Sequence, residues 1–162
     1  MSDGILRDME ALQVIYFNRR LDHPVDRVWA ALTDPAVLLG WWGEVKTNLS
    51  EGGWFTVRWL NTDAGGNGAV MTATISELKE QHVLEMVGDI HGVLRFELDP
   101  RESGTELHFS STLDLPDEYR TVSLAGWHFH LDALADTLAG RTVDLVNLPD
   151  ARWEGIHRRY AG

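Results

Sequence analysis

Residues 22–42 read DHPVDRVWAALTDPAVLLGWW, and the fold is decided there. Pro24 suits the first position of a helix, where a missing N–H costs nothing. Val25, Val28, Trp29 and Leu32 recur at i, i+3, i+4 and i+7, the spacing of a helix with one apolar face. Thr33 or Asp34 can cap a second, short helix, with Pro35 again at its first position. Gly40 ends that helix. A pair of helices this short cannot make a core alone. It reads as a corner between strands, and Trp41 and Trp42 leave it as neighbours that cannot face the same side. The expectation is that Trp41 packs into the corner while Trp42 faces a cavity or its entrance.

On both sides of this corner the periodicity is that of strands. Residues 13–21, QVIYFNRRL, are rich in β-formers. From residue 44 to 114 apolar residues recur every second position, with turns at Gly52-Gly53, 63–68, 88–92 and 100–104. Phe55, Val57 and Trp59 share one side of a strand over 54–60. Met71, Ala73 and Ile75 form the next row, followed by a short strand at 83–87. Leu94, Phe96 and Leu98 alternate with charged residues, and Leu107, Phe109, Ser111 and Leu113 make the last inward row. Strands joined by tight turns form an antiparallel sheet with one buried face. The cover for that face is a helix over 117–139, with Trp127, Leu131, Leu134 and Leu138 as its stripe and Gly140 as its stop. A shorter helix follows Pro149-Asp150, with Trp153, Ile156 and Tyr160 on one side. That stripe suits packing on the chain's own core, docking on a second subunit in a homodimer, or binding a partner; intramolecular packing is the default. The fold class is therefore α+β: a curved antiparallel sheet wrapped around one long C-terminal helix. It forms a single domain over 1–162, with a core from about 12 to 140 and a helical tail from about 141 to 162.

Composition narrows the function. The 162 residues include no cysteine, so neither a disulfide framework nor a thiolate metal site or nucleophile is available. Acidic residues outnumber basic ones by 25 to 14, a net charge of −11, which argues against a nucleic-acid footprint. The basic group Arg152, His157, Arg158 and Arg159 reads as a solvated helix face. No apolar run reaches membrane-spanning length, and the first residues lack the pattern of a secretory signal, which makes a cytoplasmic location the expectation.

Four phrases in order carry a family resemblance: HPVDRVWAALTDPAVLLGWW (23–42), GGWFTVRW (52–59), DPRESGTELHF (99–109) and GWHFHLDAL (126–134). Together they resemble the activator of heat-shock-protein-90 ATPase homologue family, part of the START-like or SRPBCC superfamily with the helix-grip fold. The resemblance implies a deep, mostly apolar cavity between sheet and long helix. It also implies that a chaperone-activator role would need a client-binding domain that nothing in these residues supplies.

Within that frame, the residues expected to line a ligand cavity are Trp41, Trp42, Phe55, Val57, Trp59, Met71, Met86, Phe96, Phe109, Trp127 and Leu131. Methionine suits a surface that re-packs around different guests. Gly126 is a further clue: glycine inside a helix costs about 1 kcal/mol against alanine, which suggests a close approach or empty space beside Trp127. No cofactor or metal site is expected. His128 and His130 are two apart and diverge on a helix, and His82 and His91 fit no ligand pattern. His128 reads as a partly exposed helix residue, and Arg58 as facing out. The glycines of DAGGNGAV (63–70) lack the residues of a phosphate loop.

Three functions follow as expectations. The first is non-catalytic binding of a small hydrophobic or amphipathic molecule. The second is a cyclase- or hydratase-type enzyme of the same fold, for which Arg19, Asp89, His91 and His128 are the titratable candidates. The third is a co-chaperone-like interaction module with a chaperone partner.

Overall fold

The structure is a computed structural model that describes residues 3–9, 12–89, 92–113 and 119–161. Eight strands form one sheet: β1 (Ile5–Met9), β2 (Leu12–Leu21), β3 (Glu44–Thr47), β4 (Trp54–Thr62), β5 (Gly68–Lys79), β6 (Val83–Gly88), β7 (Val93–Arg101) and β8 (Gly104–Leu113). The helices are α1 (Val25–Thr33), α2 (Pro35–Leu38), α3 (Arg120–Leu138) and α4 (Ala151–Ala161). Strand order is β1-β2-β8-β7-β6-β5-β4-β3, and every pairing is antiparallel. β1 is an edge strand that the sequence pattern does not announce. The expected helix start at residue 117 lies outside the described residues, as do Ile90 and His91 of the expected turn at 88–92.

Hydrophobic alternation sets the register. Phe17 faces Phe109, which faces Phe96, which faces Leu84, so one apolar row crosses β2, β8, β7 and β6. All four are essentially buried. Slipping any of these strands by one residue would turn its row to solvent. Pairing shifts between Arg58 and Thr62, and again between Ile75 and Glu77. Such irregularities bend strands, and they fall in β4 and β5, near the end of the sheet that wraps α3. Outside, Arg95 binds Glu77 of β5, Glu85 of β6 and Glu97 of its own strand at 2.6–2.9 Å. Arg58 faces out as expected, paired with Glu44 at 2.9 Å.

The corner at 22–43 is held by one hydrogen bond with a clear cause. In α1 the carbonyl of Ala31 would accept from residue 35, but residue 35 is proline and has no N–H. The indole Nε1 of Trp41 donates to that carbonyl instead, at 2.7 Å. Asp34 caps α2 by accepting from the Ala36 N–H at 3.0 Å. Gly40 lies against the Thr137 side chain of α3, where a Cβ would come within 3.0 Å, so a larger residue would push the corner off the long helix.

Trp41 and Trp42 both point inward, which corrects the expectation that they diverge. They stack at 5.5 Å with 27° between ring planes, and each is at most 1% exposed. Trp42 reaches the core without a partner for its Nε1. Two indoles of equal burial thus differ in one hydrogen bond. Trp41→Phe is expected to destabilise by about 1–3 kcal/mol more than Trp42→Phe, because it strands the Ala31 carbonyl. Chemical denaturation of the two variants measures this, and equal losses would show that the Trp41 bond contributes nothing net.

Candidate functional site

Beneath the middle of α3 the described side chains pack ring against ring. Trp127 descends from α3 onto Phe109 at 4.5 Å and onto Trp42 at 5.4 Å. Phe96 closes on Phe109 at 5.1 Å, and Trp42 on Phe55 at 5.7 Å. Trp41, Trp42, Phe55, Val57, Met71, Met86, Phe96, Phe109 and Leu131 are all buried in this filled core. Aromatic rings at these distances gain contact energy beyond simple burial, so the barrel interior is a packed core at this level.

The open space lies to one side. A cleft of about 420 Å³ runs between the end of β4, the outer half of α3 and the segment before α4. From the expected set, Trp59 and Trp127 border it. Asn61 and Ala69 come from β4 and β5; Val122, Ser123, Gly126 and His130 from α3; and Leu148, Pro149 and Trp153 from the tail. The inner row of β4 explains the change of character: Phe55 and Val57 are buried, Trp59 is partly exposed, and Asn61 ends the row as a polar residue. Among the described residues the Oδ1 of Asn61 has no hydrogen-bond partner.

Gly126 is where its helix-breaking cost is explained. A Cβ added there would meet no atom within 4 Å. The missing side chain opens the face of α3 to the cleft. Sequence reasoning found Gly126, Trp59 and Trp127. It missed His130, Asn61 and Trp153 as cleft residues, because each depends on where α3 and α4 land on the sheet.

His130 is the titratable group bordering the cleft, and it is locked. Its Nδ1–H donates to the Trp41 carbonyl at 2.8 Å, and its Nε2 accepts from the Trp59 indole at 3.3 Å. Burial lowers its pKa to about 4, against a smaller opposing effect of the Trp41 carbonyl. The ring is therefore neutral at physiological pH.

A second polar network lies on the far side of α3. Arg19, 2% exposed, binds Asp132 at 2.5 Å. Asp132 also meets His128 Nε2 at 3.3 Å, and His128 Nδ1 lies 2.7 Å from the Tyr160 hydroxyl, which accepts from the Gly4 N–H at 2.9 Å. Burial pushes the Asp132 carboxyl up, but hydrogen bonds from His128 and Arg19 outweigh it and hold it below the usual carboxylate range. Burial raises the Tyr160 phenol, which stays protonated. His128 is 2% exposed, not a partly exposed residue. Its network clamps β2, α3 and α4 together. Asp89 is exposed and accepts from the Thr72 N–H at 3.1 Å. His91 lies outside the described residues.

Residues 22–139 match the model of the family described as activator of Hsp90 ATPase homolog 1-like protein. The chain belongs to that family. Among solved structures, CalU16 from Micromonospora echinospora is 23% identical, with a TM-score of 0.72 over 98% of this chain and 95% of its own. EF2215 from Enterococcus faecalis is 18% identical, with a TM-score of 0.74 over 98% of this chain and 88% of its own. The AHSA1-like protein from Aeromonas hydrophila is 20% identical, with a TM-score of 0.68 over 78% of this chain and 92% of its own. These likenesses establish the helix-grip fold. No curated protein matches the chain. The part of the chain that the Hsp90-activator-homologue model matches stops at residue 139, so Leu148, Pro149 and Trp153 reach the cleft from beyond it. Among the described residues no helix is long and apolar enough to cross a membrane.

The buried, neutral His130 sets a pH dependence. Unfolded, its imidazole titrates near 6.5; folded, near 4. The unfolded chain binds the extra proton between these values, so this contribution to stability is complete above pH 6.5 and is lost as the pH falls toward 4. The loss between pH 7 and pH 4.5 is expected to be about 2–3 kcal/mol. Denaturation of wild type and His130→Gln at both pH values measures it: the variant should be less stable at pH 7 and lose correspondingly less on acidification.

Proposed function

We propose that this chain binds a small, largely apolar molecule in the cleft between β4, α3 and the tail, and does so without transforming it. The observation that carries this reading is Gly126. A glycine in the interior of a long helix sacrifices about 1 kcal/mol of helix propensity, and here the position opens onto a cleft of about 420 Å³. That volume falls within the range of drug-sized sites, whose walls are mainly apolar with a few polar groups for orientation. Trp59, Trp127, Trp153 and Leu148 supply the apolar wall, and Asn61 and Ser123 the polar points.

The catalytic alternative finds less support. Acid–base catalysis works best with a group whose pKa lies near the working pH. His130 sits far below it, and both its nitrogens are already committed. Arg19 and His128 are engaged in the network on the other side of α3.

Two substitutions at one position test the reading. Gly126→Ala should stabilise the protein by up to about 1 kcal/mol, because it restores helix propensity in open space. Gly126→Leu should fold and fill the cleft. In a thermal-shift screen against a mixed metabolite library, compounds that raise the wild-type Tm should lose their effect in Gly126→Leu. A ligand at a hundred times its Kd contributes about 2.7 kcal/mol, an easily read shift. If no compound shows a Gly126-dependent shift, the cleft is not the binding site.

A further inference from the structure

We infer that the cleft selects an uncharged, ring-bearing guest, and that Trp153 of the tail is the residue that discriminates for it. This rests on the binding reading above and narrows its ligand to one chemical class.

The first observation is the absence of a counter-charge. Among the described residues, those around the cleft include no lysine, arginine, aspartate or glutamate. The imidazole of His130 is neutral, with one nitrogen donating to Trp41 and the other accepting from Trp59. The arginines that adjoin cleft residues in sequence are turned elsewhere. Arg58, before Trp59, pairs with Glu44 on the outer face at 2.9 Å. Arg152, before Trp153, binds Asp136 at 2.9 Å and lies over the Phe129 ring at 5.5 Å. A carboxylate entering the cleft would lose water and gain no cation, which is costly. The net charge of −11 adds a long-range penalty for anions. A cation would find indole faces, which attract it, but no carboxylate among the described residues around the cleft to complete its neutralisation. The space is also far larger than an ammonium group needs.

The second observation is the density of flat π-surface. Trp59, Trp127 and Trp153 come from a strand, a helix and the tail, with Pro149 and the His130 ring beside them. Trp153 is backed by His157, stacked at 5.0 Å with 20° between planes. Arg152 pins the same turn of α4 to α3 through Asp136. The Trp153 ring is thus held from behind while it borders the cleft. Rings stack favourably on such surfaces in a way an aliphatic chain cannot. Trp153 lies beyond the family-matched residues 22–139, whereas Trp59 and Trp127 lie within them.

The test is isothermal titration calorimetry of the full chain with four probes. Three share the naphthalene ring and differ in charge: 2-acetylnaphthalene, 2-naphthoate and 2-naphthyltrimethylammonium. The fourth, 1-decanol, is uncharged and has no ring. The uncharged ketone should bind at least about tenfold more tightly than either ion, and more tightly than decanol. Trp153→Ala should weaken the ketone about tenfold, and Trp153→Phe should restore most of that loss. The Phe variant keeps the wall testable if the alanine variant fails to fold. Equal binding by an ion or by decanol, abolished in Gly126→Leu, overturns the ligand class and leaves the cleft as the site. Ketone binding unchanged in Trp153→Ala overturns the role of Trp153. Binding of none of the four overturns this inference, while the library screen with Gly126→Leu judges the cleft on its own.

Discussion

The structure depends on what fills the space under α3. Trp42 is the hub: it stacks on Trp41 and meets Phe55, Phe96, Trp59 and Trp127. This cluster joins the α1–α2 corner, both halves of the sheet and the long helix. Protein interiors pack as densely as organic crystals, so a cluster of this bulk fixes the height of α3 above the sheet. It also decides where room remains. Below Trp127 the described rings pack closely, and the gap opens where α3 extends past the aromatic cluster toward the end of β4.

The gap is kept open by a division of roles along one helix. Trp127, Leu131 and Leu134 face the core, Gly126 and His130 face the cleft, and His128 and Asp132 face β2 and α4. Each face therefore has its own chemistry: apolar packing, a neutral wall, and a buried ionic clamp. A buried Arg19–Asp132 pair adds little net stability compared with apolar packing, yet breaking one half would leave an uncompensated charge. The pair joins β2 to α3, and His128 beside it carries the network on to Tyr160 of α4.

Much of the fold is legible in the sequence because period and punctuation agree. Strands over 54–60 and 94–98, the two-helix corner and the described part of the long helix, Arg120–Leu138, appear where expected; Pro35 opens α2 as read, while Pro24 stands just before α1 as its cap rather than at its first position. The site is legible only in part. Trp59, Trp127 and the cost of Gly126 are local signals, and they do mark the cleft. The rest of the expected lining, from Trp41 to Leu131, carries the same apolar signature whether it surrounds a space or fills one. Sequence cannot separate these cases, because the difference is how closely α3 approaches the sheet. His130 and Asn61 escaped for a related reason. A histidine near the middle of a helix and an asparagine near a strand end are unremarkable until two other elements close over them. Trp41 is the exception that could have been read further: a proline four residues after Ala31 leaves a carbonyl in need of a donor.

The stacked pair from the opening motif has an optical consequence. Two indoles 5.5 Å apart and 27° from parallel, both sealed from solvent, couple their electronic transitions. Such a dimer gives near-ultraviolet circular dichroism that exists only while side chains are locked, and that vanishes in a compact state with loose packing. The protein therefore carries a built-in chiroptical gauge of its interior, separate from the helix and sheet signal of its backbone.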